Sequence, residues 1–430
     1  MKQRYNEFSH ELAVRAAITL INSKSSRGEM LGFIEKYAGI PRSEMYASAL
    51  RGDCGTKVEA AESVAFYLDE VIDGLMHGRA PEDMDTVITE QRKDGMTGKI
   101  RNISTLCILH QLLGHLVKLG LDPLLRARLL PQQHASIPRH GQTKVVSQTK
   151  HYLCKTSLDI KYARKTDVVH AYASIKYAAI IERLETEIPS ATWILTVIRY
   201  LATLAPDGAL IIGGYLDAWL FNLAMSYGIR YVLSLGRVRR GKFIPYVKRI
   251  EAQMDDFVLL GASKSGIDRA IRLLDIWMQE TYGAHIRITT GTIRLLTVGE
   301  ERTHKADVKP SKRGCPCVDV AGYRIYRSHI TIRPWCLIRI RRRYMRAWRE
   351  YTKTGTVQVQ RARALIAYYG IINAAYSHRF EKKYHVLQLL TVAKRVSGFY
   401  SYRHGRQLND RMARYCRMDD ETRYYRWRST

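Results

Sequence analysis

Three aspartates carry the sharpest chemistry in this sequence. Asp255 and Asp256 stand together in "EAQMDDFVLL", between two short apolar arms, and Asp167 closes the run "ARKTD". Carboxylates in such a set suit two divalent cations ~3.5–4 Å apart, the arrangement used for nucleotidyl transfer. One cation activates a primer hydroxyl, and the other holds the triphosphate and leaving group. Mg²⁺, with Mn²⁺ as a substitute, takes a few carboxylates and keeps water and phosphate ligands. Three bare acids in a cleft would repel one another, and metal removes that repulsion. The bland alternative for an acid pair is a solvated turn. It fits poorly here, because both arms are apolar and turns usually place Gly or Asn at their centre. Asp419 and Asp420 lack such arms and read as surface.

The whole chain points the same way. Its 430 residues carry 69 Lys and Arg against 40 acids, a net charge of +29, which predicts a polyanionic partner such as RNA or DNA. A 46% hydrophobic content excludes a disordered basic tail. No apolar run reaches the ~18 residues of a membrane span, so no membrane partner is expected. The first residues lack the pattern of a secretory leader. Seven scattered cysteines predict thiols in a reducing, cytoplasmic setting, and Cys315 and Cys317 are too close for a usual zinc pair.

Elements must bring Asp167 to the acid pair. "IKYARKTD" reads as a strand ending on Asp167, and the arms around Asp255–Asp256 read as a hairpin. "SGIDRAIRLLDIWMQETYG" has the apolar period of an amphipathic helix, and "VDVAGYRIYRSHITIRP" reads as strands. Helices laid among these strands predict an α+β fold with an antiparallel sheet. Residues 1–80 read as a helical module. Gly39 would be the turn residue, and Ile40 the gap-filler, of a unit like a helix-turn-helix; an ordinary helical bundle is the alternative. Residues 81–95 read as a polar bridge, 81–330 hold the chemistry, and 331–430 form a basic helical region.

The order of motifs over residues 90–330 resembles the reverse transcriptase family, in particular its bacterial group II intron, diversity-generating and defence-associated members. "GKIRNIS" and "HQLLGHLVKLGLDPLL" resemble the opening finger segment, and "HASIPRHGQT" the loop before the first catalytic strand. "TDVVHAYASI" resembles the first catalytic motif. "ALIIGGYLDAWLFNLAMSYG" resembles the glycine turn and helix behind template and nucleotide, and "QMDDFVLL" the catalytic hairpin. "VDVAGYRI" resembles the primer-grip strand, and "ALIAYYGIINAAYS" the start of the thumb. The resemblance implies a right hand of fingers, antiparallel-sheet palm and helical thumb. Three departures stand out: Gln253 replaces an aromatic residue, Asp217–Ala218 replace Ser-Gln, and Ala321 replaces Leu. Asp217 implies either unusual pocket selectivity or a differently packed turn. No zinc-bearing maturase tail or ribonuclease H acid set follows.

What the resemblance implies by residue is as follows. Asp167 and Asp255 bridge the metals, with Asp256 beside them. Tyr172 gates against a ribose 2′ hydroxyl. Lys99, Arg101, Gly213 and Gly214 attend the incoming nucleotide, and Gly322 and Tyr323 hold the primer. Arg339, Arg341, Arg342, Arg343, Arg346 and Arg349, interleaved with Tyr344 and Trp348, would grip nucleic acid; a solvated helix face is the alternative. The implied activity is synthesis of complementary DNA from dNTPs on a dedicated structured non-coding RNA, in antiphage defence. Sequence diversification or element mobility is the alternative setting. An RNA-binding scaffold and a template-independent DNA polymerase are the alternative activities.

Overall fold

The computed structural model describes residues 4–25, 27–51, 54–81, 87–93, 100–287, 291–307 and 315–403. Lys99, Asp419 and Asp420 lie outside the described residues. Four helices open the chain: α1 (His10–Lys24), α2 (Gly28–Ala38), α3 (Arg42–Arg51) and α4 (Gly55–Met76). Ser9 caps α1, its hydroxyl oxygen accepting from Leu12 N at 3.2 Å. Leu12, Ala13, Ala16, Ala17, Leu20 and Ile21 share one helical face and are buried, with α1 packed on α4. Gly39 ends α2 at φ 67°, a left-handed value that glycine adopts freely. Ile40 is buried behind it, as the sequence predicts.

β1 (Ile88–Lys93) and β2 (Ile100–Thr105) pair antiparallel, Ile88 opposite Thr105. The polar bridge expected over 81–95 is therefore partly strand. β1 is exposed along its whole length, so no alternation of apolar residues marks it, and its partner strand supplies the order. Then come α5 (Ile108–Gly120), α6 (Asp122–Arg128), α7 (Gln142–Cys154) and β3 (Tyr162–Asp167). α8 (Ala171–Ser174), α9 (Tyr177–Glu187), α10 (Thr192–Leu204) and α11 (Tyr215–Ser234) follow. A small hairpin, β4 (Gly236–Arg239) and β5 (Lys242–Pro245), precedes β6 (Arg249–Gln253) and β7 (Asp256–Gly261). After α12 (Lys264–Tyr282), β8 (Ile293–Arg294) and α13 (Val298–Asp307) comes a second sheet of β9 (Val318–Val320), β10 (Tyr323–Ile325) and β11 (Ile330–Ile332). α14 (Pro334–Thr354), α15 (Val359–Asn373), α16 (His378–Lys383) and α17 (Val386–Arg403) complete the described chain.

The central sheet has the order β6-β7-β3-β8 and is antiparallel throughout. Its two faces feed two cores. Phe257 and Leu259 of β7 join the first core, with residues of α1, α4, α5, α10, α11 and α12. Val258 and Leu260 join the second, with residues of α7, β9, β10, α14, α15 and α17. A strand buried on both sides needs an unbroken apolar run, which "FVLL" provides. Both cores run across the boundaries expected at 80 and 330. The architecture is α+β with small antiparallel sheets. No disulfide joins the described cysteines. No described helix is long and apolar enough to cross a membrane.

Candidate active site

β3 ends on Asp167 and β7 begins on Asp256, and the strand register pairs these two residues directly. Met254 and Asp255 form the two-residue loop between β6 and β7. Met254 takes φ 57°, the sign that a tight hairpin requires at its first loop position. Two backbone bonds fix the junction. Val168 N donates to Asp255 O at 3.1 Å, and Arg287 N donates to Asp167 O at 2.7 Å. The hairpin is as the sequence predicts, and the register brings Asp167 and Asp256 to the same end of the sheet.

The electrostatics show how closely the acids are grouped. The Asp255 carboxyl is pushed above its ordinary range, first by burial, then by repulsion from Asp256 and Asp167. The other two acids hold cations. Lys165 Nζ lies 2.9 Å from Asp256, and Arg287 Nε lies 3.2 Å from Asp167. Sequence reasoning missed both. Lys165 stands two residues before Asp167 on the same strand face, diagonal to Asp256, so the period of β3 was its signal. Arg287 comes from a distant segment and left no signal.

Carboxylate oxygens are the kind of donor that a hard cation such as Mg²⁺ takes. Lys165 and Arg287 stand where positive charge is called for. Among the described residues, no group of three or more His, Cys, Asp or Glu side chains is gathered ready to hold an ion. Asp256 and Asp167 are each engaged by a cationic side chain instead.

Two further expected residues lie within electrostatic reach of Asp255. Tyr172 stacks on the buried Phe221, ring centroids 5.0 Å apart at 15°. Burial and the fields of Asp217 and Asp255 raise its hydroxyl pKa, while Arg101 opposes them. Arg101 likewise acts on Asp255. It is exposed on β2 directly opposite Arg92, whose own guanidinium is held by Glu90 at 3.0 Å. β2 is tied to the glycine turn by Ser104 N donating to Ile212 O at 2.8 Å.

The glycine pair answers to packing. Gly213 has φ 117°, and a Cβ there would collide with the Ser104 carbonyl; one at Gly214 would collide with the Asp217 carboxylate. Asp217 is only 2% exposed. Its Oδ1 accepts from Ile211 N and from the Tyr177 hydroxyl, both at 2.9 Å. Burial pushes its pKa up to about 6 against these two hydrogen bonds. Asp217 thus bolts the glycine loop to the start of α11.

The loop containing "HASIPRHGQT" braces β6 from behind. His134 N donates to Ala252 O at 2.9 Å, and Ala252 N donates to Gln132 O at 2.8 Å. The His134 ring bonds the buried Glu251 carboxyl. Burial disfavours charge on both groups, lowering the His134 pKa and raising that of Glu251.

β9 packs beside β3 and β7, and Ala321–Gly322 form its tight turn to β10, with φ 47° and 86°. The Tyr323 side chain is buried, and its hydroxyl donates to Ile371 O at 3.2 Å. Of the two residues expected at a primer, Gly322 lies in this turn and Tyr323 is taken up in packing. On α14, Cys336, Ile340, Tyr344 and Ala347 are buried on one face. Arg342, Arg346 and Arg349 are exposed on the opposite face, and Arg341 and Arg343 are exposed on its flanks. Arg339 is half-buried, its guanidinium 4.5 Å from the Trp335 ring centroid. The interleaved rings pack inward: Tyr344 donates to Leu365 O at 3.0 Å, and Trp348 stacks on His385 at 3.7 Å.

No family model and no curated protein matches this chain. Among solved structures it is similar to apo telomerase from Candida tropicalis, with a TM-score of 0.41 and 11% identity, over 77% of this chain and 67% of that one.

Proposed function

We propose that this protein is a reverse transcriptase: an RNA-directed DNA polymerase of right-hand form that joins deoxynucleotides by two-metal transfer. The observation that carries the reading is the direct pairing of Asp167 with Asp256, with Asp255 in the adjoining turn. Asp167, Asp255 and Asp256 would hold the two Mg²⁺ or Mn²⁺ ions. When bound, such ions supply Lewis acidity and neutralise charge on the transferring phosphoryl group.

The chain's own residues do the rest. Arg101, exposed and within electrostatic reach of Asp255 and Tyr172, takes the triphosphate, with Lys99 two residues before it in sequence. Tyr172, held flat on Phe221, blocks the space of a 2′ hydroxyl. Gly213 and Gly214 keep the turn behind the nucleotide packed on Ser104 and Asp217. Gly322 lies in the turn that faces the primer. The exposed arginines of α14 take phosphates of the template–primer duplex. The partner is a structured non-coding RNA, and the setting is antiphage defence.

The ion pairs Lys165–Asp256 and Arg287–Asp167 favour a second reading, an RNA-binding scaffold in which lysine and arginine permanently replace metal. One experiment separates the two. Purified full chain is given Mg²⁺, labelled dTTP and poly(rA) primed with oligo(dT). The polymerase reading requires incorporation that stops with chelator. No incorporation with Mg²⁺ or Mn²⁺ leaves the scaffold.

A further inference from the structure

The hairpin β4–β5 belongs to nothing described so far. It is a two-stranded sheet on its own, with Arg237 opposite Ile244, Val238 opposite Phe243 and Arg239 opposite Lys242. Such an isolated ribbon is marginal by itself. Here the Phe243 ring lies over Gly236, where a Cβ would collide with it, and Tyr246 N donates to Leu235 O at 3.0 Å to close the base. Arg240 and Gly241 make the turn at φ 51° and 73°.

The ribbon has two unlike faces. Strand alternation puts Val238 and Phe243 on one, 73% and 56% exposed, and Arg237, Arg239 and Lys242 on the other. Arg240 joins them at the tip. These four cations hold no ion pair among the described residues, and residues 218–250 contain no aspartate or glutamate at all. Unrelieved positive charge beside an exposed ring calls for a polyanion with flat groups. An unpaired nucleic-acid strand has that chemistry.

The ribbon is also remote from the acid turn. Its root at Tyr246 lies beside Gly261, the far end of β7 from Asp256. By strand rise that is about 17 Å.

We propose that the β4–β5 ribbon is a second nucleic-acid anchor, separate from the catalytic cleft. Phe243 stacks on a base, and Arg237, Arg239, Arg240 and Lys242 take the neighbouring phosphates. This rests on the polymerase reading only for the choice of nucleic acid as partner.

The test is anisotropy of a fluorescein-labelled ~20-nucleotide unpaired RNA, and of the same DNA sequence, titrated with the full chain at ~50 to ~200 mM salt. The variant Arg237→Gln/Arg239→Gln/Arg240→Gln/Lys242→Gln keeps Phe243, and so keeps the fold of the ribbon. It lowers the salt slope of binding by about 3, four contacts at ~0.7 each on a single strand. Phe243→Leu weakens binding about 5- to 100-fold at fixed salt. Loss on both probes assigns the backbone chemistry; loss on RNA alone adds the 2′ hydroxyl. An unchanged slope in the quadruple variant overturns the proposal, as does a loss confined to a blunt duplex. Extension of oligo(dT) on poly(rA) at saturating template proceeds at the wild-type rate in the quadruple variant, and a slowed rate would overturn the separation of the two sites. If the wild-type chain extends nothing while the quadruple variant still loses the strand, the anchor stands and the polymerase reading falls.

Discussion

Asp167 and Asp256 are cross-strand partners, and Lys165, on the same face as Asp167, spans diagonally to hold Asp256 at 2.9 Å. The junction of β3 and β7 thus combines concentrated negative charge with its own counter-ions. Among the described residues, Asp255 in the turn holds no ion pair, and its carboxyl is driven upward.

Asp167→Asn and Asp255→Asn are each expected to lower deoxynucleotide incorporation by about 10³-fold or more, the loss of roughly 4 kcal/mol of charge stabilisation. Binding of RNA, measured by filter retention, stays within about twofold because the basic surfaces are untouched. Full incorporation by either variant would sink the assignment of the acids.

Lys165→Met and Arg287→Gln release Asp256 and Asp167 for a cation. Both pairs are partly exposed to solvent, and such pairs are worth ~0.2–1 kcal/mol. The half-saturating Mn²⁺ concentration, followed by proton relaxation of bound water, should therefore fall about two- to fivefold. If the acids never hold metal, neither variant shows specific Mn²⁺ binding.

Tyr172→Ala opens the space beside Phe221. The ratio of kcat/KM for rUTP over dTTP is expected to rise about 10- to 100-fold, the range that a pocket contact commands. A parallel melting curve separates this from loss of the ring stack. An unchanged ratio in a folded variant removes Tyr172 from the gate.

Asp217→Asn tests the buried carboxyl. Its folded pKa, about 6, lies above the ordinary 3.8, so the fold favours the protonated form. The penalty of ionising it grows as pH rises from 3.8 to about 6 and is constant above. Asparagine keeps an acceptor for Ile211 N and Tyr177 without the charge. The variant should be more stable than the wild type by up to about 3 kcal/mol at pH ~7.5, and nearly equal to it at pH ~3.5, by urea denaturation. Lower stability of Asp217→Asn at the higher pH contradicts the burial argument.

Arg342→Gln/Arg346→Gln/Arg349→Gln clears one face of α14. The slope of log affinity against log salt for an RNA–DNA hybrid should shrink by about 2 to 3. A slope equal to the wild type would make this stripe a solvated face.

Much of this was legible in residue order alone. The apolar arms around Asp255–Asp256 specify a hairpin, because a strand buried on both faces must be apolar throughout. "KTD" specifies a strand end, and Gly39 a helix stop. These are local properties, encoded within a few residues. β1 and the β4–β5 ribbon were illegible for the converse reason. Their side chains are largely exposed, and each strand is held in order by a partner that local patterning does not reveal.

The sequence by itself determined the net positive charge of the chain, the acids that stand out in it and the strands that carry them. Only the tertiary structure decided what surrounds them. It placed Asp167 opposite Asp256, brought Arg287 onto Asp167, and buried Asp217 and Tyr323 as structural groups. It also set Glu251 against His134 beneath the acid turn. The reason is physical. Composition and period report on one element at a time, whereas ion pairing and desolvation depend on which distant segments the packed cores press together.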